Sequence, residues 1–208
     1  MWKPPHQDGR RKLLRGEDLW HSLKEDPNIK RFHEIFDLGL TLFGEAARSF
    51  DIGALFGSAI LSRSSLEATL YVFLTRSKDG QGEKVWVVHH PMRLDGSPRE
   101  VGFAEIIQTI GKREILSLNQ MASARRVQED GNVIAHVASR RDRILSGKTR
   151  GKSWISKNSA WENMEDVAGI ILTLARAIAK NPNVAGPDSR VKYVFVETRI
   201  VTLKRDAG

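Results

Sequence analysis

Apolar residues recur every three or four positions over most of the chain, and this spacing predicts a mainly helical fold. A first stripe runs from Ile29 to Phe50 and predicts one amphipathic helix, because that spacing places the apolar side chains on a single face. Asp26-Pro27 is the predicted start of this helix, since proline is tolerated in the first turn. A second stripe runs from Ile52 to Leu74, with Asp51 as the expected N-cap. The two predicted helices form an antiparallel hairpin.

The helical pattern returns after residue 102. It predicts a short helix over Phe103–Ile110 and a second one over Arg113–Val127. A helix break is expected at Gly131, because a glycine inside a helix costs about 1 kcal/mol relative to alanine. Asp130 or Asn132 would then cap a new helix that runs to about residue 145. A last helix is expected over Trp161–Lys180.

Two segments are rich in β-branched and aromatic residues. Lys84–His89 predicts a short strand within a stretch of turns and loops. Val191–Leu203 has the same composition. It either pairs with Lys84–His89 as a small appendage or forms a terminal arm that adds a strand to a partner.

The chain therefore divides into three predicted parts. Residues 1–27 form a basic tail with one short helix over Glu17–Glu25. Residues 28–182 form a bundle of four to five helices, with an insertion at 77–101 and a basic loop at 146–159. Residues 183–208 form the β-rich arm. A chain of 208 residues is long enough for one domain with a real core.

Composition excludes several classes of site and location. The chain has no cysteine, so it has neither disulfides nor a thiolate metal site. Residues 1–20 lack the apolar region of a secretory signal, and no apolar run approaches the ~20 residues of a membrane span. We therefore expect a soluble cytoplasmic protein with no membrane partner. His89 and His90 would point to opposite faces of a strand, so no metal site is predicted. The sequence contains neither a P-loop nor a GxGxxG motif, so no cofactor is predicted.

Positive charge is concentrated in two segments, of which the first, residues 1–16, holds five basic residues against one acid. The formal net charge is +8, and residues 140–157 hold seven basic residues against one acid. Such a segment suits a phosphate-bearing partner such as RNA, although a solvated loop that keeps the protein soluble would have the same composition. The aromatic ring within it would stack on a base or anchor the loop. The candidate nucleic-acid-binding residues are Arg140, Arg141, Arg143, Lys148, Arg150, Lys152 and Trp154.

Two charged residues interrupt the second apolar stripe. Arg63 and Glu67 lie four positions apart, so they stack on one face of the predicted helix. Burying such groups is costly unless they are paired. They are either a structural ion pair that orients the hairpin, in a polar network with Gln128, or a support for a functional group on a facing helix.

A second polar set contains Asn132 and His136, which are also four positions apart. An imidazole acts as an acid or base near neutral pH, and a nearby arginine such as Arg126 could hold a phosphate. This set suits metal-independent cleavage of an RNA phosphodiester. A satisfied core histidine is the alternative interpretation.

The two polar sets together resemble a known family. Ser62-Arg63-Ser64-Ser65-Leu66-Glu67, followed by Gly131-Asn132-Val133-Ile134-Ala135-His136, is similar to a bacterial domain family of unknown function in the HEPN superfamily (higher eukaryote and prokaryote nucleotide-binding). Members show Arg-x-x-Leu-Glu on one helix and Gly-Asn-x-x-Ala-His at the start of a later one. The resemblance covers roughly residues 33–180.

The resemblance implies a helical bundle that forms a homodimer. Active members of the superfamily are metal-independent ribonucleases that resemble toxins and defence effectors. By the same resemblance, His136 is the general acid/base, Asn132 positions the substrate or the imidazole, and Glu67 supports them. The chain departs from active members at Gly131, where they carry an arginine, and at Gln128, where the family of unknown function often carries one.

Three functional hypotheses follow. The first is a dimeric HEPN-like module that engages RNA or a nucleoprotein partner with little or no catalysis. The second is an active metal-independent ribonuclease that uses His136, with Arg126 as the candidate cation. The third is a protein-interaction module in which the polar residues are purely structural.

Overall fold

The computed structural model describes residues 15–78, 86–92, 97, 99–135, 155–187 and 194–200. The fold is mainly helical, which confirms the predicted class. Its helices are α1 (Gly16–Lys24), α2 (Pro27–Arg31), α3 (His33–Asp51), α4 (Leu55–Thr75), α5 (Phe103–Gly111), α6 (Leu118–Ala135) and α7 (Lys157–Lys180).

Helix α1 lies within the predicted basic tail and packs on the core. Its residues Leu19 and Leu23 are buried against α3 and α7. The predicted helix start at Asp26-Pro27 is confirmed, because Asp26 caps α2 and Pro27 is its first residue. The continuous helix predicted from there to Phe50 is wrong, because the chain bends at Phe32 (φ −120°, ψ 30°) between α2 and α3. The bend allows Ile29 and Phe36 to enter the same core.

Helices α3 and α4 form the expected hairpin, but its turn differs from the prediction. Asp51 is the last residue of α3 rather than the N-cap of α4, which begins after Ala54. The Asp51 carboxylate instead accepts hydrogen bonds from the backbone N–H groups of Gly16 (2.6 Å) and Glu17 (3.0 Å). Asp51 therefore caps a helix, but that helix is α1, which the sequence spacing does not place next to it.

Replacing Asp51 with alanine is expected to lower the free energy of unfolding by about 0.5–2 kcal/mol, because two N–H groups at the start of α1 lose their acceptor. Urea unfolding followed by circular dichroism measures this. Asp37→Ala is the matched control, since Asp37 is an exposed aspartate on the same helix α3. Equal stability of the two variants would show that the cap does not hold α1.

Helix α6 runs without interruption through Gly131, so the predicted break at Asp130–Asn132 is wrong. Its start at Leu118 is later than predicted, because Ser117 and Gln120 cap each other reciprocally at 3.1–3.2 Å. Helix α7 begins at Lys157, four residues earlier than predicted, because Ser156 and Ser159 form a capping box.

The core lies where α4 and α7 pack against α3, α5 and α6. Phenylalanines of α3 and α4 fill its centre, and Leu66, Leu70 and Ile171 complete it without solvent exposure. Arg113 donates from its two terminal nitrogens to the carbonyls of Val184 (3.2 Å) and Gly186 (2.7 Å), which holds the chain after α7 against α5. No helix in the described part of the chain is long and apolar enough to cross a membrane.

Three strands form one antiparallel sheet in the order β1 (Arg76–Lys78), β2 (Trp86–Met92), β3 (Val194–Ile200). In the pairing of β2 with β3, Trp86 lies opposite Ile200 and Met92 opposite Val194. The two β-rich segments therefore pair with each other, which was one of the two alternatives. The predicted insertion and the predicted arm each contribute to this sheet.

The two adjacent histidines of β2 have different environments, as the strand alternation predicts. His89 is 8% exposed, and its Nε2 lies 2.6 Å from Oγ of Ser77 on β1. His90 is exposed. No group of three or more His, Asp or Glu side chains within the described ranges could hold a metal ion.

Candidate functional site

A close crossing of α4 and α6 creates the site, and Gly131 makes that crossing possible. A Cβ atom at position 131 would lie 2.4 Å from Cδ and 2.6 Å from Cβ of Arg63. Real Cβ atoms do not approach other heavy atoms so closely. The glycine therefore provides the space in which the Arg63 side chain crosses α6.

The Arg63 guanidinium joins three helices. Its Nε donates a hydrogen bond to Oδ1 of Asn132 on α6 (3.0 Å), and its Nη1 lies 3.1 Å from Oε2 of Glu67, one turn later on α4. Its Cζ is 5.4 Å from the ring centroid of Phe103 on α5, within cation–π range. The structure thus brings together residues that the sequence analysis placed in two separate sets.

The site is half-buried. The side chains of Arg63 and Glu67 are 22% and 33% exposed, and Phe103, whose ring lies beneath the Arg63 guanidinium, is 4% exposed. Solvent therefore screens the ion pair only in part. Gln128, which was predicted in the same network, lies one turn before Asn132 and makes no hydrogen bond to Arg63 or Glu67 among the described residues.

Arg126, the candidate catalytic cation, faces a different helix. Its Nη2 donates to the carboxylate of Asp166 on α7, and its Nη1 lies 3.8 Å from Oε2 of Glu162. Ser123 donates to the other Asp166 oxygen at 2.9 Å. The structure therefore places Arg126 where α6 packs on α7. Arg126 is not part of the cluster formed by Arg63, Glu67, Asn132 and Phe103.

Arg125, the residue before Arg126, lies on the same face of α6 as Asn132. It is seven residues before Asn132, and at about 100° per residue in an α-helix this spacing puts both on nearly the same face. Arg125 is exposed, whereas Arg126 is half-buried. Of the two upstream arginines, Arg125 is the one available to a ligand beside Asn132.

Sequence reasoning missed a polar seam between α6 and α7. Asn163 donates from Nδ2 to Oδ2 of Asp130 (3.0 Å), and Gln120 donates to Oγ1 of Thr173 (2.7 Å). The available signal was the three- and four-residue spacing of Gln120, Ser123, Arg126 and Asp130 on one helix. The seam fixes the rotation of α6 and thereby the direction of Asn132.

Several predicted site residues lie outside the described residues. His136 directly follows Ala135, the last described residue of α6. The same holds for the candidate nucleic-acid-binding residues Arg140, Arg141, Arg143, Lys148, Arg150, Lys152 and Trp154. Their roles rest on the sequence.

No family model matches this chain. No curated protein and no solved structure matches it significantly either. The chemistry of the site must therefore be argued from its own residues.

Proposed function

We propose that this chain is an HEPN-like helical module that forms a homodimer and binds RNA, without robust catalysis. The observation that carries the proposal is the hydrogen bond from Arg63 to Asn132. It creates a half-buried polar site at the carboxyl end of α6, the helix that leads into the basic residues 140–157. Arginine and asparagine side chains both donate to phosphate oxygens.

The positions of the arginines favour binding over cleavage. Cleavage of a phosphodiester builds negative charge in the transition state, which a well-placed cation must stabilise. Arg126 is committed to Asp166 and Glu162 on α7. Arg63 shares its charge with Glu67. Both arginines therefore offer a reacting phosphate only a charge that a carboxylate partly neutralises, and the exposed Arg125 lies about two turns of α6 before Asn132.

An active ribonuclease is the second candidate, and the orientation of Asn132 favours it. Because Oδ1 of Asn132 accepts from Arg63, the amide is held in one orientation. An oriented amide four residues before His136 could position either the imidazole or an RNA 2′-hydroxyl. His136 would then act as general acid/base without a metal.

A structural protein-interaction module is the third candidate. It is favoured by the way in which Arg63 ties α4, α5 and α6 together. In that case replacement of Arg63 or His136 would lower the melting temperature and change no RNA-related property.

The deciding experiment is incubation of the purified protein with labelled single-stranded RNA in EDTA, scored for both gel shift and cleavage. We expect a salt-sensitive shift without cleavage, in the wild type and in His136→Ala alike. His33→Ala is the matched control, since His33 is an exposed histidine on α3.

Each other outcome selects another candidate. Cleavage that His136→Ala abolishes and His33→Ala retains would establish the ribonuclease. The absence of both shift and cleavage would overturn the RNA-binding proposal and leave the protein-interaction module.

A further inference from the structure

Arg63 occupies the space that a side chain at position 131 would fill. The Cβ, Cγ and Cδ atoms of Arg63 all lie within 3.0 Å of the Cβ position at Gly131. A cation carried by α4 is therefore presented at the surface of α6, beside Asn132. Position 131 itself contributes only the gap.

Two hydrogen-bond donors at this place remain unused. The first donor is Nη2 of the planar Arg63 guanidinium, which shares one edge with Nε and the other with Nη1. Nε is bonded to Asn132 and Nη1 is paired with Glu67, so Nη2 lies between these two contacts. Among the described residues Nη2 has no hydrogen-bond partner. Because Nη2 is not a buried atom, it is accessible to solvent.

The side-chain amide of Asn132 also has donors that no described residue uses. Its Oδ1 accepts from Arg63, which leaves the two N–H donors of Nδ2 outside that hydrogen bond. In the described part of the chain Nδ2 has no hydrogen-bond partner, and like Nη2 it is accessible to solvent. Arg63 and Asn132, which one hydrogen bond joins, therefore each keep a donor that is accessible to solvent.

We propose that Arg63 and Asn132 together hold one phosphate of the bound RNA, through Nη2 and Nδ2 respectively. The inference rests on the proposed RNA-binding function and assigns it a specific contact outside the basic segment. Phosphate oxygens accept charge-assisted hydrogen bonds from arginine. Glu67 keeps the guanidinium in place through Nη1 and leaves Nη2 to the ligand.

The first test is Asn132→Asp. The carboxylate still accepts from Nε of Arg63, so the fold and its melting temperature are retained, but an acceptor replaces the donor and repels phosphate. We expect RNA affinity to fall by about tenfold or more, since hydrogen bonds to charged groups are strong. Asn119→Asp is the matched control, because Asn119 is exposed at the other end of α6. Its affinity is expected to stay within twofold of the wild type.

The second test is the salt dependence of RNA affinity in Arg63→Gln. Loss of one phosphate contact is expected to reduce the slope of log K against log salt by about 0.7 for a single strand. Arg48→Gln is the control, since Arg48 is an arginine of α3 with a largely exposed side chain paired with Glu45. Its slope is expected to equal that of the wild type.

The outcomes separate this inference from the function on which it rests. A wild-type protein that binds no RNA overturns both. Wild-type binding, together with full affinity in Asn132→Asp and an unchanged slope in Arg63→Gln, overturns the phosphate contact alone and leaves the cluster with a structural role. If Arg63→Gln does not fold, Asn132→Asp decides by itself, because it preserves the hydrogen bond to Arg63.

Discussion

Under the proposed RNA-binding function, replacing Lys148, Arg150 and Lys152 together with glutamine is expected to weaken RNA binding roughly 50-fold at about 0.15 M salt and to lower the salt slope by about 2. Each lysine or arginine that neutralises a phosphate releases a counter-ion from the single strand, and the three contributions add. The three residues lie in the most basic segment of the chain, which has seven basic residues and one acid over 140–157.

A matched control separates a local contact from a general effect of charge. Lys24, Arg176 and Lys180 are exposed cations on α1 and α7, and replacing all three with glutamine removes the same net charge. Filter binding over a salt series compares the two triple variants. An equal loss of affinity in both would show that RNA responds to net charge and not to the basic segment.

Gly131→Ala is expected to lower the free energy of unfolding by about 1–3 kcal/mol, because overpacking at a tight contact forces side chains and backbone to shift. The new methyl group would overlap Cβ and Cδ of Arg63. The Cβ atom added at position 131 and the Cβ atom of Arg63 are both fixed to their backbones, so α4 and α6 must move apart to relieve the overlap. Alanine is the better helix former, so local propensity alone predicts the opposite sign.

Gly169→Ala supplies the matched control, because Gly169 lies inside α7 and a Cβ atom there would meet nothing within 4 Å. We expect this variant to gain about 1 kcal/mol from helix propensity. Urea unfolding measures both proteins. If Gly131→Ala were as stable as Gly169→Ala, the crossing of α4 and α6 would be looser than the structure shows.

The same two helices explain why some of the site was predictable. Arg63 and Glu67 lie four residues apart on one helix, and this spacing alone predicts that their charged groups meet; they lie 3.1 Å apart. Spacing within one helix could not show that Asn132 joins them. That contact depends on the crossing of α4 and α6, which brings together residues 69 positions apart.

Asp51 and Arg126 make contacts that the sequence did not predict, because each residue contacts a helix that lies far from it in the sequence. Asp51 has the chemistry of an N-cap, and it does cap a helix, but the helix is α1 and lies 34–35 residues earlier in the chain. Arg126 was a reasonable cation for His136 by sequence distance. The rotation of α6, set by its seam with α7, directs Arg126 to Asp166 instead.

Periodic apolar stripes determined the helical class, the α3–α4 hairpin and the last helix, because a helix face is a local property of three- and four-residue spacing. The β-rich composition of two distant segments likewise indicated strands, and left open whether they would pair with each other. Only the tertiary structure decided that α6 continues through Gly131. The local cost of that glycine is about 1 kcal/mol, and it is outweighed by the close packing of Arg63, which no local pattern contains.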